Sequence, residues 1–181
     1  MTDDEFRSAF HEHQDVVHRF LWRMAGPEAA EDLAQEVFLA LLRHPERFDP
    51  ARGTLRTFLL AIARNLALKQ WRDEHQLVAL EDEGFVAPSF DAPTRETADL
   101  VAAAVRSLPP LQREVVILAE YEECSLEEIA RTVAAEVGTV KSRLHRARQN
   151  LRRMLAPLQA SAATARARPA AAVRRLEERK P

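Results

Sequence analysis

A chain of 181 residues with 46% apolar and 30% charged side chains can fill a core, which excludes wholesale disorder. Its 4 glycines and 6% aromatics are too few for an all-β barrel or sandwich, and its one cysteine, Cys124, excludes an internal disulfide or a Cys-pair zinc site. Apolar runs such as residues 58–63 fall far short of a bilayer, and the acidic start Asp3-Asp4-Glu5 lacks the features of a signal peptide, so an all-α cytoplasmic protein is expected.

Helical spacing of Phe6, Phe10, Val17 and Leu21 predicts a first helix over Glu5 to Met24. Gly26-Pro27 breaks it, and Pro27 can open a second helix over about Glu28 to Leu42. There Leu33, Val37 and Leu41 form the buried stripe, widened by Ala30, Ala34, Phe38 and Leu42. The stretch from Phe48 to Gly53 is a loop, and Thr54 caps a third helix to about Trp71 with core face Leu55, Phe58, Leu59, Ile62 and Leu66. Gly84, Pro88 and Pro93 among acids mark a linker from Glu81 to Thr94. A helix from about Thr94 to Leu108 stops at Pro109-Pro110, and a short one follows through Ala119, burying Leu111, Val115 and Leu118. Ser125-Leu126-Glu127-Glu128 is a capping box for a helix to about Val133, and a last helix runs from Val137 to Leu155. Beyond Pro157 the chain is rich in alanine and arginine and is interrupted by Pro169.

The formal net charge of −2 conceals a strong pattern. Residues 43–72 carry seven bases against two acids, residues 73–99 eight acids against one base, and residues 138–155 six bases and no acid. Two basic helices flanking an acidic connector point to a polyanion partner. The last two helices carry the clearest signal. A helix-turn-helix needs a small residue where the two backbones approach and apolar inner faces. Ala130 is the small residue, Ile129 and Val133 line the first helix, and Val140, Leu144, Ala147 and Leu151 line the second. The outer face of the second carries Ser142, His145, Arg146 and Gln149, flanked by Thr139, Lys141 and Arg143, all able to bond to a base edge or phosphate.

In these segments the chain resembles a bacterial RNA polymerase sigma factor of the extracytoplasmic-function (ECF) group of the sigma-70 family. The resemblance rests on Leu108-Pro109-Pro110-Leu111-Gln112-Arg113-Glu114-Val115, on Ser125-Leu126-Glu127-Glu128-Ile129-Ala130, and on residues 137–148, which in that family form the σ4 domain. Ala30-Glu31-Asp32-Leu33-Ala34-Gln35-Glu36-Val37-Phe38 looks like the polymerase-docking helix of σ2. Residues 48–53 and 58–65 look like its promoter-melting segment, and the likeness covers about Phe6 to Leu155.

The resemblance implies two small helical domains, σ2-like over residues 1–75 and σ4-like with a helix-turn-helix over residues 95–156, joined by a flexible acidic linker at 76–94 and followed by a basic tail at 157–181. It implies polymerase binding through Asp32, Gln35 and Glu36, with the β′ clamp helices and the β flap as surfaces on the enzyme. Contact with the −10 element and melting fall to Arg52, Arg56, Arg64, Asn65, Lys69 and Arg72, with the 48–54 loop placed to hold a flipped base. Contact with the −35 element falls to Thr139, Lys141, Ser142, Arg143, His145, Arg146 and Gln149. An anti-sigma factor is the expected regulator, and no membrane insertion by the chain itself is expected. Promoter elements two helical turns apart are separated by roughly 70 Å, and residues 73–94 reach roughly 75 Å when extended. In the family the acidic linker follows the basic RNA path of the polymerase.

The sequence departs from the family pattern at Ala134 and Ala135, where the turn commonly carries glycine, and at Glu136, where a serine-type cap is usual. A stand-alone helix-turn-helix regulator with a helical sensor is the alternative, but a sensor has no reason to carry the polymerase-docking and melting-type segments. His11 and His13 fall on different sides of a helix and make no metal pair. Without a Gly-rich phosphate loop or a nucleophile motif, the chain is read as a non-enzyme with no cofactor and no metal.

Overall fold

A computed structural model of the protein describes residues 1–75 and 97–156, all helix, turn and loop. The acidic linker at 76–94 and the tail at 157–181 lie outside the described residues. Three helices form the first group: α1 (Asp3–Ala25), α2 (Pro27–Arg43) and, after a 3-10 turn at Pro45–Arg47, α3 (Leu55–Glu74). The second group holds α4 (Thr97–Arg106), α5 (Pro110–Val116), a π-helical turn at Ile117–Tyr121, α6 (Leu126–Val133) and α7 (residues 137–156).

Local chemistry sets the ends of these helices. Thr2 and Glu5 form a reciprocal capping box at the start of α1, which the sequence reading missed. Gly26 ends α1 and opens α2 at φ +95° and ψ 168°, a backbone region essentially reserved for glycine. Thr54 caps α3 as expected, its hydroxyl accepting from the Thr57 amide at 3.2 Å. At α6, Ser125 Oγ accepts from the Glu128 amide and Glu128 Oε2 accepts from the Ser125 amide at 2.8 Å, which holds the Glu128 carboxyl below its ordinary value.

In the first group α1 buries Val16, Val17, Phe20, Leu21 and Met24, and the Phe10 and Phe38 rings meet edge to face with centroids 4.8 Å apart. Each fully buried side chain of the Phe20 or Leu21 kind contributes roughly 1.5–3 kcal/mol. The stripe of α3 is rotated from the expected one. Leu59, Leu60, Ala63, Ala67 and Leu68 are buried, whereas Leu55, Phe58, Ile62 and Leu66 lie partly buried on its flank. Leu42, expected to widen the α2 stripe, is 48% exposed.

The helix expected through Ala119 ends at Val116 and widens into the π turn, closed by the Glu122 amide on the Ile117 carbonyl at 3.1 Å. The two groups pack on one another, α6 against α3 and the second group's α4 and α5 against α1. Their buried apolar side chains form one contiguous cluster.

Candidate nucleic-acid and polymerase interfaces

Helices α6 and α7 meet through a turn at Ala134, whose φ of +50° and ψ of 50° put an alanine in the left-handed region. The inner side of α7 buries Val140, Leu144, Ala147 and Met154, with Leu151 partly buried. On the outer side Thr139, Lys141, Ser142, His145, Arg146 and Gln149 are exposed, as is Glu136 just before the helix. Ser142 Oγ donates to the Thr139 carbonyl at 2.9 Å, and the His145 ring and the Gln149 amide meet at 2.9 Å. Arg143 is placed differently from this group. Its side chain is 15% exposed and its Nη1 lies 3.5 Å from Glu114 Oε1. Arg148 forks onto Glu120 at 2.6 Å, so an acid from the neighbouring turn stands at the edge of the basic face.

The residues named on α3 and the loop before it divide in two. Arg52, Asn65, Lys69 and Arg72 are exposed, and Arg72 Nε donates to the Leu68 carbonyl at 3.3 Å. Arg64 is 16% exposed and turned toward the second group, where its Nε donates to Glu114 Oε2 at 2.7 Å. Its Nη1 reaches Asn65 Oδ1 at 3.1 Å, so the two neighbours are held as a unit. Arg56 likewise reaches across, Nη2 donating to the Glu122 carbonyl at 2.8 Å and Nη1 to Cys124 Sγ at 3.2 Å. Burial pushes the Cys124 thiol up, so it stays protonated at neutral pH.

The loop before α3 encloses a cavity of about 430 Å³ lined by Phe48, Arg52, Thr57 and Phe58. Phe58, read from the sequence as core, is instead partly buried on the wall of this cavity, its ring 5.6 Å from that of Phe48. Arg131 and Ala134 of the second group complete the lining. Trp71 stacks on His75 at 4.6 Å, which occupies one face of its ring.

Two acids that the sequence reading gave no role hold the seam between the groups. Glu114 has no exposed side-chain surface. Burial pushes its carboxyl up, while the guanidiniums of Arg64 and Arg143 oppose that. Glu122 is 1% exposed and faces Arg19 at 3.3 Å, Arg56 at 3.5 Å and Arg23 at 3.9 Å. Arg113 adds a third tie, donating to the carbonyls of Met24 at 2.7 Å and Leu108 at 3.0 Å, and burial pushes its guanidinium down to about 10. A signal for Glu114 existed in the sequence: it stands three residues after Leu111 and four before Leu118, on an apolar stripe where a lone charge needs a partner.

On α2, Asp32, Gln35 and Glu36 are all exposed, and Leu39 follows at helical spacing with 42% of its surface open. Their positions i, i+3, i+4 and i+7 make one face of mixed polarity. Leu42 extends the open apolar surface toward the end of the helix. Among the described residues no helix is long and apolar enough to cross a membrane.

Comparison with known proteins follows the same division. Residues 9–76 match Sigma-70 region 2, and residues 98–151 match Sigma-70, region 4. Over 155 residues the chain is 38% identical to the ECF RNA polymerase sigma factor SigE of Mycolicibacterium smegmatis, covering 80% of this chain and 59% of that protein. It is 32% identical over 163 residues to the RNA polymerase sigma factor CarQ of Myxococcus xanthus, covering 87% of this chain and 93% of that one. Among solved structures it is similar to the sigma factor RpoE in complex with the anti-sigma factor NepR from Bartonella quintana. That match has a TM-score of 0.67 and 25% identity, over 83% of this chain and 96% of that chain. With both regions present in order on helices of the expected kind, the chain belongs to the ECF group of sigma-70 family RNA polymerase sigma factors.

Proposed function

We propose that this sigma factor reads its promoter through two basic helical faces, one in each region, and docks on core RNA polymerase through the exposed face of α2. The exposed side of α7, with Thr139, Lys141, Ser142, His145, Arg146 and Gln149, enters the major groove at the −35 element, and Arg143 joins it from the flank. Arginine there forks onto guanine acceptors, and the neighbouring bases contact phosphate. Arg52, Arg56, Arg64, Asn65, Lys69 and Arg72 serve the −10 element, with the cavity beneath the 48–54 loop taking a base swung out of the stack. Unstacking a base costs a few kcal/mol, which a preformed cavity and nearby cations offset. Asp32, Gln35 and Glu36 provide the polar contacts to the β′ clamp helices, and the second region faces the β flap.

The observation that carries this reading is the exposed row on α7, reached from a capped α6, in the segment that matches region 4. The chain works as an initiation factor and catalyses no reaction of its own. It acts in the cytoplasm under an anti-sigma factor, as the solved relative RpoE is in complex with the anti-sigma factor NepR, and lies at the inner membrane where its own anti-sigma factor is membrane-bound. Run-off transcription tests the proposal: core polymerase with this chain should initiate at a discrete set of sites from a genomic promoter pool. A chain that fails to associate with core polymerase yet binds a specific operator alone would overturn it.

A further inference from the structure

We propose that the cavity beneath the 48–54 loop is also a site for a free purine nucleoside polyphosphate, with the base on a wall of Phe48 and Phe58 and the phosphates among Arg47, Arg52 and Arg131. This inference rests on the reading of the cavity as a holder of an unstacked base. It adds a small anionic ligand and a residue of α6, Arg131, that belongs to neither promoter-contact set. At about 430 Å³ the cavity falls within the range of small-ligand sites, roughly 300–1,000 Å³.

The apolar wall and the charged rim suit different parts of one ligand. The Phe48 and Phe58 rings stand with centroids 5.6 Å apart at a tilt of 49°, too close to admit a third ring between them. A base therefore stacks on the pair from the cavity side, and a purine offers the larger face. Three guanidiniums share the lining with one carboxylate, Asp49, whose Oδ1 accepts from the Ala51 amide at 2.9 Å. Arg131 reaches the loop from the second region, since a Cβ on Gly53 would stand 3.9 Å from its Nε. Among the described residues no acid lies within ion-pair distance of Arg47, Arg52 or Arg131. Glu128, one turn before Arg131, is engaged by the Ser125 amide at 2.8 Å. Uncompensated guanidiniums pair with phosphate through two parallel bonds, and two or more phosphates suit their number better than one. A hydrocarbon ligand would leave these cations unmatched, and a simple inorganic anion would leave the phenyl wall in water.

The test titrates the full chain with GDP and with ADP by calorimetry, without DNA or polymerase, beside pyrophosphate and the two nucleosides alone. At least one diphosphate should bind with one site per chain, roughly tenfold or more tightly than either of its parts, the gain expected from adding a stacked base to phosphate contacts. Arg131→Ala should weaken that binding by roughly tenfold, the loss of one charge-assisted pair. Arg7→Ala, exposed at the start of α1 and outside the lining, should leave it unchanged. No saturable heat from either diphosphate, or pyrophosphate binding as tightly as both, would overturn the site. Full affinity in a folded Arg131→Ala protein would overturn the part given to α6. Should that variant fail to fold, photocrosslinking of an azido derivative of the bound nucleotide to the unaltered chain decides. The label must fall within residues 47–58 or on Arg131, and a label elsewhere would equally overturn the site. Run-off transcription by the unaltered chain separates the two readings. Failed initiation with nucleotide binding intact condemns the promoter assignment alone, and initiation without nucleotide binding condemns this site alone.

Discussion

The side-chain amide of Asn150, buried on α7, donates to Gln112 Oε1 on α5 at 2.8 Å. Arg153 in turn donates to Asn150 Oδ1, so a polar bridge ties the recognition helix to the helix behind it. Asn150→Ala leaves the Gln112 oxygen without this donor, at a cost of about 1–3 kcal/mol. Arg152→Ala, at an exposed site on the same helix, should stay within about 0.5 kcal/mol. Urea unfolding of the two variants checks this, and equal midpoints would contradict it.

Ala134 spends its backbone in the left-handed region, at roughly 1–2 kcal/mol for a residue bearing a Cβ. Ala134→Gly relieves that strain but loosens the unfolded chain, leaving a net stabilisation of about 0.5–1 kcal/mol. The denaturation midpoint should rise with no change in its slope. A lower midpoint would show that the turn is set by something other than the φ angle.

His13 is 8% exposed on α1, and its pKa is lowered, first by burial and then by the charge of Arg56, against an opposing pull from Glu12. The folded protein therefore binds fewer protons at this site than the unfolded chain does. The resulting stability is present above the ordinary imidazole value near 6.5 and is lost as pH falls through the lowered one. Thermal stability should drop between neutral pH and about pH 5, and His13→Gln should flatten that slope. An unaltered slope in the variant would assign the pH dependence elsewhere.

Arg146 stands exposed at the middle of the α7 face, whereas Arg152 lies exposed a turn and a half further on. Arg146→Ala should relax sequence preference by about 1–3 kcal/mol at one base pair, while Arg152→Ala weakens binding uniformly. With four to six phosphates engaged, log affinity should fall against log salt with a slope of about −4 to −5. Binding across a set of single-base promoter variants at several salt concentrations measures both effects. A flat salt response would remove phosphate contact by α7.

Local rules carried the sequence a long way. The Thr54 cap, the Ser125–Glu128 capping box and the Pro27 start are interactions within one turn of chain, so residue type and spacing specify them. The α6–α7 motif was legible for the same reason, since Ile129, Val133, Val140, Leu144 and Ala147 repeat at helical spacing and all are buried. Periodicity is a coarser guide to rotation about a helix axis. On α3 nearly every second residue is apolar, and packing against α1, α2 and α6 together decided that Leu59, Leu60 and Ala63 go deepest while Phe58 turns to the cavity.

What only the tertiary structure decided is which charges meet. Arg64 and Glu114 are separated by 50 residues and Arg56 and Glu122 by 66, distances over which no local rule acts. From composition and spacing alone, the arginines of α3 and Arg143 of α7 are cations on basic helices. Folding dries some of them against buried carboxylates and leaves Lys69, Arg72 and Arg146 in water. A charge takes its energy from its surroundings, and those are assembled only when distant segments pack.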